Sequence, residues 1–301
     1  MEWYIIVIIV VIVLILSFLI SIPIYLAWQI GHPYHSSEEE VINNWKKHRF
    51  VSEYDKSIRK PVEFKMKDGY IIHGDYILNN NSKKFVICAH GFSTNREAEI
   101  EYALIFLNLG FSVVLYDQRG HGKNDPYVTT MGKLESSDLN EIIDQVYELF
   151  GKDIKIGLHG VSLGASTCLL VASKRSDLAF IVDDCGYVRL RNAIISEVNK
   201  RHLPGVIFIP LTSLFCKLFY GFYLKDVSVE KSIKDIKAPV LIFHGDIDNI
   251  VPIKNSYILN DNLLSYHELK VYKDTHHADC LTNYKEDYEQ DLQTFIKRIN
   301  I

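Results

Sequence analysis

The sequence predicts an α/β fold: a mostly parallel central sheet with helices on both faces, a helical cap inserted over it, and a transmembrane helix at the N-terminus. Three observations lead there. From Lys84 onward, short continuous apolar runs alternate with helical stretches, which is how strands covered on both faces and their crossover helices read. About fifty residues, Gly186 to Lys237, interrupt that alternation and are dense in Phe, Tyr, Leu and Ile. From Trp3 to Ser37 there is no Asp, Glu, Lys or Arg, and Tyr4 to Trp28 is almost wholly apolar.

Residues 1–28 form the expected anchor. The apolar run exceeds the roughly 20 residues that span a bilayer as a helix, and Trp3, Tyr4, Tyr25 and Trp28 mark two interfacial belts. A cleavable signal peptide would begin with basic residues and carry a shorter apolar core; here Glu2 takes the basic position. Residues 29–60 are polar with scattered aromatics and read as a juxtamembrane linker or helix. Residues 61–301 form the main domain. It opens with "VEFKMKDGYIIHGDYIL", two strand-like runs around the hairpin signal Asp68-Gly69, followed by a loop at Asn79-Asn80-Asn81. Then come "KFVICAHG" and a helix over Glu97–Leu109, "FSVVLYD" and a helix over Ser136–Phe150, and "IKIGLHG" and a helix over Ala165–Ser173. The strand "LAFIVDD" precedes the cap at about 186–237. "PVLIFHGD", "LKVYKD" and an amphipathic helix over about Tyr284–Ile299 close the chain.

Composition narrows the partners. The net charge is −4, and no basic run exceeds Lys46-Lys47-His48-Arg49, so nucleic acid is not expected. Five cysteines without a C-x-x-C pair argue against a disulfide scaffold and for a reducing compartment. Basic residues follow the span and none precedes it. The expected location is therefore the cell membrane, single-pass, with the main domain on the cytoplasmic side.

Chemistry enters at Gly160-Val161-Ser162-Leu163-Gly164, a G-x-S-x-G between an apolar run and a helical pattern. A serine on so tight a strand-to-helix turn needs a strained backbone, and side chains at the two glycines would collide with neighbouring elements. The helix N-terminus behind Ser162 favours negative charge developing during attack. A nucleophilic serine also needs a base and a group to orient it. Downstream, "LIFHGDIDNIVP" offers Asp246 and Asp248 after one strand, and "VYKDTHHADC" offers His276 and His277 after the next. Asp183 and Asp184, at a strand end, compete for the acid position. No H-E-x-x-H or comparable ligand spacing joins His90, His276 and His277, which argues against a metal role for them, and a serine-hydrolase reading implies no metal or organic cofactor.

Five stretches together carry a family likeness: "AHGF" (Ala89–Phe92), "YDQRGHGKN" (Tyr116–Asn124), "HGVSLGA", "HGDIDNIVP" and "HHADC". Over about Val62–Ile299 the chain resembles the α/β-hydrolase superfamily of serine hydrolases, particularly bacterial members with a hydrophobic N-terminal segment. It departs from the family's D-x-R-G-x-G-x-S loop by Asn124 in the serine position. The resemblance implies Ser162 as nucleophile, His277 as general base and acid, and Asp248 as the orienting carboxylate. It also implies an oxyanion hole from the backbone N–H groups of Phe92 and Leu163, His90 as a brace for that loop, and Asp117, Arg119 and His121 as a structural polar cluster.

The expected function is a membrane-anchored serine hydrolase that cleaves carboxylic esters, acyl or lipid-like, through an acyl-enzyme. A peptidase or an acyltransferase on the same fold is the alternative. The peptidase would need acidic cap residues, for which Glu197 and Glu230 are the candidates. A catalytically inactive, membrane-tethered binding protein is the reading from another class; retained glycines and all three polar residues speak against it.

Overall fold

The computed structural model describes residues 2–48, 58–79 and 82–301, with no account of the side chains of 45–48. Part of the expected linker (49–57) and Asn80 and Asn81 of the expected loop lie outside the described residues. Eight strands form one sheet: β1 (Lys60–Lys65), β2 (Ile71–Ile77), β3 (Lys84–Ala89), β4 (Ser112–Tyr116), β5 (Lys155–Val161), β6 (Leu178–Asp184), β7 (Val240–Gly245) and β8 (His267–Tyr272). Their order is β1-β2-β4-β3-β5-β6-β7-β8. Strands β1 and β2 form the expected antiparallel hairpin; Gly69 turns with φ +89° while the Asp68 carboxylate accepts from the Tyr70 N–H at 3.0 Å. The pairs β3–β4, β3–β5, β5–β6, β6–β7 and β7–β8 are parallel, so their loops leave from one carboxyl edge.

Period-2 alternation decides what each strand contributes to each face. In β3, Phe85, Ile87 and Ala89 point to one face, where α4 (Lys133–Phe150) and α5 (Leu163–Ala172) pack. Val86 and Cys88 point to the other, against α3 (Ile100–Asn108) and α10 (Lys285–Arg298). Because both faces are covered, the strands read as unbroken apolar runs. The helix after β3 begins later than expected: Arg96–Glu99 is a 3₁₀ turn capped by Asn95, whose side chain accepts from the Glu97 N–H. Between β6 and β7 lie α6 (Leu190–Lys200) and α7 (Gly205–Tyr220), filling the expected cap segment, and α8 (Lys254–Asn262) and the short α9 (Cys280–Asn283) follow later.

At the N-terminus, α1 (Trp3–Gly31) is long and apolar enough to cross a membrane. It runs three residues past the expected end of the anchor, and its two parts differ. Residues 3–20 are exposed throughout, whereas Pro23, Leu26, Ala27, Ile30 and Gly31 are buried against the domain. The buried part packs on α7, with the Tyr220 ring against Gly31 and His32. Arg201, after α6, donates to Gln29 Oε1 at 2.8 Å. A reciprocal capping box then starts α2 (Glu38–His48): the Glu40 N–H donates to Ser37 Oγ at 3.2 Å and the Ser37 N–H to Glu40 Oε2 at 2.7 Å.

Candidate active site

Sheet register assembles the site. Ala89 at the end of β3 lies beside Gly160 in β5, so the loop beginning at His90 leaves the sheet next to Ser162. Val161 lies beside Asp184, and Gly245 beside Tyr272, which sets the 246–253 and 273–279 loops side by side. Ser162 itself sits at φ 54°, a left-handed conformation that costs a non-glycine residue on the order of 1–3 kcal/mol. The surrounding backbone imposes it: a Cβ on Gly164 would collide with the carbonyl oxygen of Ala89, and one on Gly160 with the backbone of Gly164 and Ala165. The Ser162 N–H is held by the Asp184 carbonyl at 2.8 Å.

Three of the expected side chains meet there. Ser162 Oγ lies 2.8 Å from His277 Nε2, and His277 Nδ1 lies 2.6 Å from Asp248 Oδ2. Since a carboxylate only accepts, Nδ1–H donates to Asp248 and Nε2 is left to accept the serine hydroxyl proton. The other oxygen of Asp248 accepts from the N–H groups of Ile250 and Val251, each at 2.8 Å. Burial pushes the Asp248 carboxyl up, but hydrogen bonds from His244 and His277 outweigh it and hold the group well below the ordinary carboxylate range. Asp248 is thus a fixed anion on the far side of the imidazole.

The competing residues stand elsewhere. Asp246 and His276 are exposed, and Asp246 accepts from the Thr275 N–H at 3.3 Å. Asp183 and Asp184 are buried beneath the serine turn; burial pushes the Asp183 carboxyl up to about 7 and also raises Asp184. The acidic cap candidates are engaged: Glu230 pairs with Arg189, and Glu197 with Lys200 at 3.0 Å.

The oxyanion-loop residues flank Ser162. Leu163 is the first residue of α5, where an N–H has no intrahelical acceptor. Gly91 comes so close that a Cβ there would lie 3.9 Å from that of Ser162, and Phe92 follows it. His90 braces this loop: its Nε2 accepts from the Gln118 N–H at 2.8 Å and its Nδ1–H donates to the Gly91 carbonyl at 2.7 Å. Burial lowers the His90 imidazole to about 4, so it stays neutral as this pattern requires. Asp117 binds Arg96, while Arg119 forks onto Asp138 at 2.7–2.8 Å and stacks on Tyr70. These are two clusters, not one. Asn124 fits its unusual position by accepting from the His73 N–H at 2.8 Å and donating to the Asp117 carbonyl at 2.8 Å.

Several neighbours carried no sequence signal. A cavity of about 290 Å³ beside Ser162 and His277 is lined also by Phe92, Glu99, Tyr102 and Ile250. Glu99 is buried and bonds His159 at 3.0 Å. His244 supports Asp248 from behind, with Nε2 donating to the Val251 carbonyl at 2.8 Å and Nδ1 2.6 Å from Ser256 Oγ. His159 and His244 each stand in a His-Gly pair, which was the one available hint. Among the described residues, two groups each bring their ligand atoms within 4.8 Å of one another: Cys88–Glu99–His159 and Cys185–Asp248–His277. Burial pushes both thiols well up, so their sulfurs are protonated and weak metal donors, and the Asp248 and His277 atoms already bond each other.

Comparison with known proteins bears on the fold that carries these residues. Residues 84–182, from β3 through most of β6, match a family model described as "alpha/beta hydrolase fold". The uncharacterized protein YqkD of Bacillus subtilis is 29% identical over 235 residues, 77% of either chain. A non-heme chloroperoxidase, CPO-A1, of Kitasatospora aureofaciens is 21% identical over 71% of this chain and 92% of its own. Among solved structures, the Pyrococcus furiosus esterase Pf2001 superposes with a TM-score of 0.67 at 25% identity, covering 83% of this chain and 98% of the esterase.

Proposed function

We propose, from the premise that this chain belongs to the α/β-hydrolase superfamily, that it is a membrane-anchored serine hydrolase that cleaves carboxylic esters. The observation that carries this reading is the continuous relay from Ser162 Oγ through His277 to Asp248, built on a strained turn and closed by hydrogen bonds of 2.8 and 2.6 Å.

In this reading His277 Nε2 takes the Ser162 proton as Oγ attacks the ester carbonyl carbon. The carbonyl π electrons move to oxygen, and the Phe92 and Leu163 N–H groups together with the N-terminus of α5 stabilise the oxyanion. The imidazolium forms beside Asp248, an anion already in place. As the tetrahedral intermediate collapses, His277 gives its proton to the departing alkoxide and leaves an acyl group on Ser162. Water then repeats the sequence, with His277 as base, and releases the acid. An alcohol in place of that water would give acyl transfer. The two acidic cap residues on which the peptidase alternative rested are ion-paired, Glu230 with Arg189 and Glu197 with Lys200, which favours the esterase reading over it.

Two features support the anchor. The exposed stretch of α1 carries no Asp, Glu, Lys or Arg between Trp3 and Ile20, and the remainder is packed into the domain core, which a removable leader would not be. Five buried free cysteines suit a cytoplasmic domain.

The test is labelling of the full chain with a fluorophosphonate. Wild type is expected to label and Ser162→Ala not. A correctly folded wild type that stays unlabelled would move the protein to the binding-scaffold reading.

A further inference from the structure

We infer that the ester's acyl chain runs past Phe92 into a second cavity walled by the anchor helix, and that this chain comes from a bilayer lipid; the inference rests on the esterase reading above. The cavity has a volume of about 110 Å³. Leu26 and Ile30 of α1 form one wall, Ile194 and Val198 of α6 another, and Met131 and Phe92 complete it. Phe92 also lines the 290 Å³ cavity that holds Ser162 and His277, so one aromatic side chain borders both.

The two cavities differ in chemistry. The one around Ser162 includes Glu99, Tyr102 and Thr94 and suits the polar portion of an ester. The lining of the other is aliphatic and aromatic, and its three polar residues are bonded to each other: Arg201 donates to Gln29 at 2.8 Å and lies 3.6 Å from Glu197. With those three residues engaged with one another and the rest of the lining apolar, the cavity favours methylenes over a polar ligand. Its position supplies the source. Leu26 and Ile30 continue directly from the exposed apolar stretch of α1, and α7 alongside exposes Val206, Ile207, Leu218 and Phe219. A lipid chain passing from the bilayer to this cavity goes from one apolar surface to another. The anchor then selects substrate as well as holding the enzyme.

Ile194→Trp fills the cavity from α6, at a position that does not itself line the cavity around Ser162 and His277. In nanodiscs, kcat/KM for p-nitrophenyl dodecanoate is expected to fall at least about tenfold, with the acetate ester within about twofold of wild type. Ile194→Ala is expected to shift preference the other way, toward longer chains. Equal losses for both esters, or no loss for either, overturn the inference. A second arm needs no turnover: laurate is expected to raise the Tm of Ser162→Ala and not of Ser162→Ala/Ile194→Trp, since only a bound ligand stabilises the fold. Equal Tm shifts overturn it, whereas an inactive wild type with the expected laurate difference removes the esterase reading and keeps the cavity. Finally, a dodecanoyl ester dissolved in the protein's own bilayer is expected to turn over faster than the same ester in separate vesicles; equal rates refute the bilayer source.

Discussion

At the carboxyl edge of the sheet, two side chains 115 residues apart in sequence meet in a single 2.8 Å hydrogen bond. At the other contact, α1 meets the cap through dispersed apolar packing by Leu26, Ala27 and Ile30, with hydrogen bonds at its rim between Arg201 and Gln29 and between Tyr220 and His32. The first region is specified by direction: each donor has one acceptor, and an ångström matters. The second is specified by area, and no single atom is indispensable. Catalysis asks for the former because a developing charge must be met by a fixed group, whereas attachment needs only buried surface.

That contrast is open to breakage. The largest effect is expected from Asp248→Asn, which keeps the acceptor for Ile250 and Val251 yet can place an amide N–H toward His277 Nδ1. The imidazole then favours the wrong tautomer, and kcat should fall on the order of 10⁴-fold with Tm changed little. A proportional loss of folded protein would instead make Asp248 a structural residue. Next comes the apolar contact: Leu26→Ala is expected to cost about 2–5 kcal/mol of stability as a buried truncation. Leu14→Ala, on the exposed stretch, should leave chemical denaturation in nanodiscs unchanged; equal behaviour would abolish the division of α1 into two parts. The third effect is electrostatic and is spread over the pH interval between the folded and unfolded pKa values of one carboxyl. With its folded-state pKa raised to about 7, Asp183 keeps its proton in the native state after the unfolded chain has lost it. Stability from this group is present at acid pH and declines as pH rises from about 4 to 7, by at most about 1.4 kcal/mol per pH unit. Asp183→Asn should flatten that slope, and an unaltered slope would argue that the carboxyl is ionised.

The directional region was the more legible in the sequence. Apolar run length identified the strands because both sheet faces are covered, and turn chemistry placed Gly69. The glycines around Ser162 are demanded by backbone collision, so they leave a mark in the chain. The family likeness singled out Asp248 and His277 from their neighbours, and the exposed positions of Asp246 and His276 agree with that choice. Glu99 and Tyr102 carried no such mark, because they reach the cavity from a 3₁₀ turn and a helix whose pattern records only packing. The division within α1 was equally hidden. Leu and Ile serve lipid and protein interior alike, so composition cannot tell Leu14 from Leu26.

That division also fixes how far the enzyme can reach. The exposed stretch of α1, Trp3–Ile20, is about 27 Å long at ~1.5 Å per residue, nearly the ~30 Å thickness of a hydrocarbon core. Packing against the domain begins within one further turn, at Pro23. With α1 in a bilayer, no slack leash separates headgroups from cap, and the domain has no freedom to swing out and sample the solution. In the membrane-anchored reading proposed above, its search for substrate is a two-dimensional one, set by lateral diffusion. Severing the chain after α1 would not liberate a working enzyme, because the cut carries away part of its core.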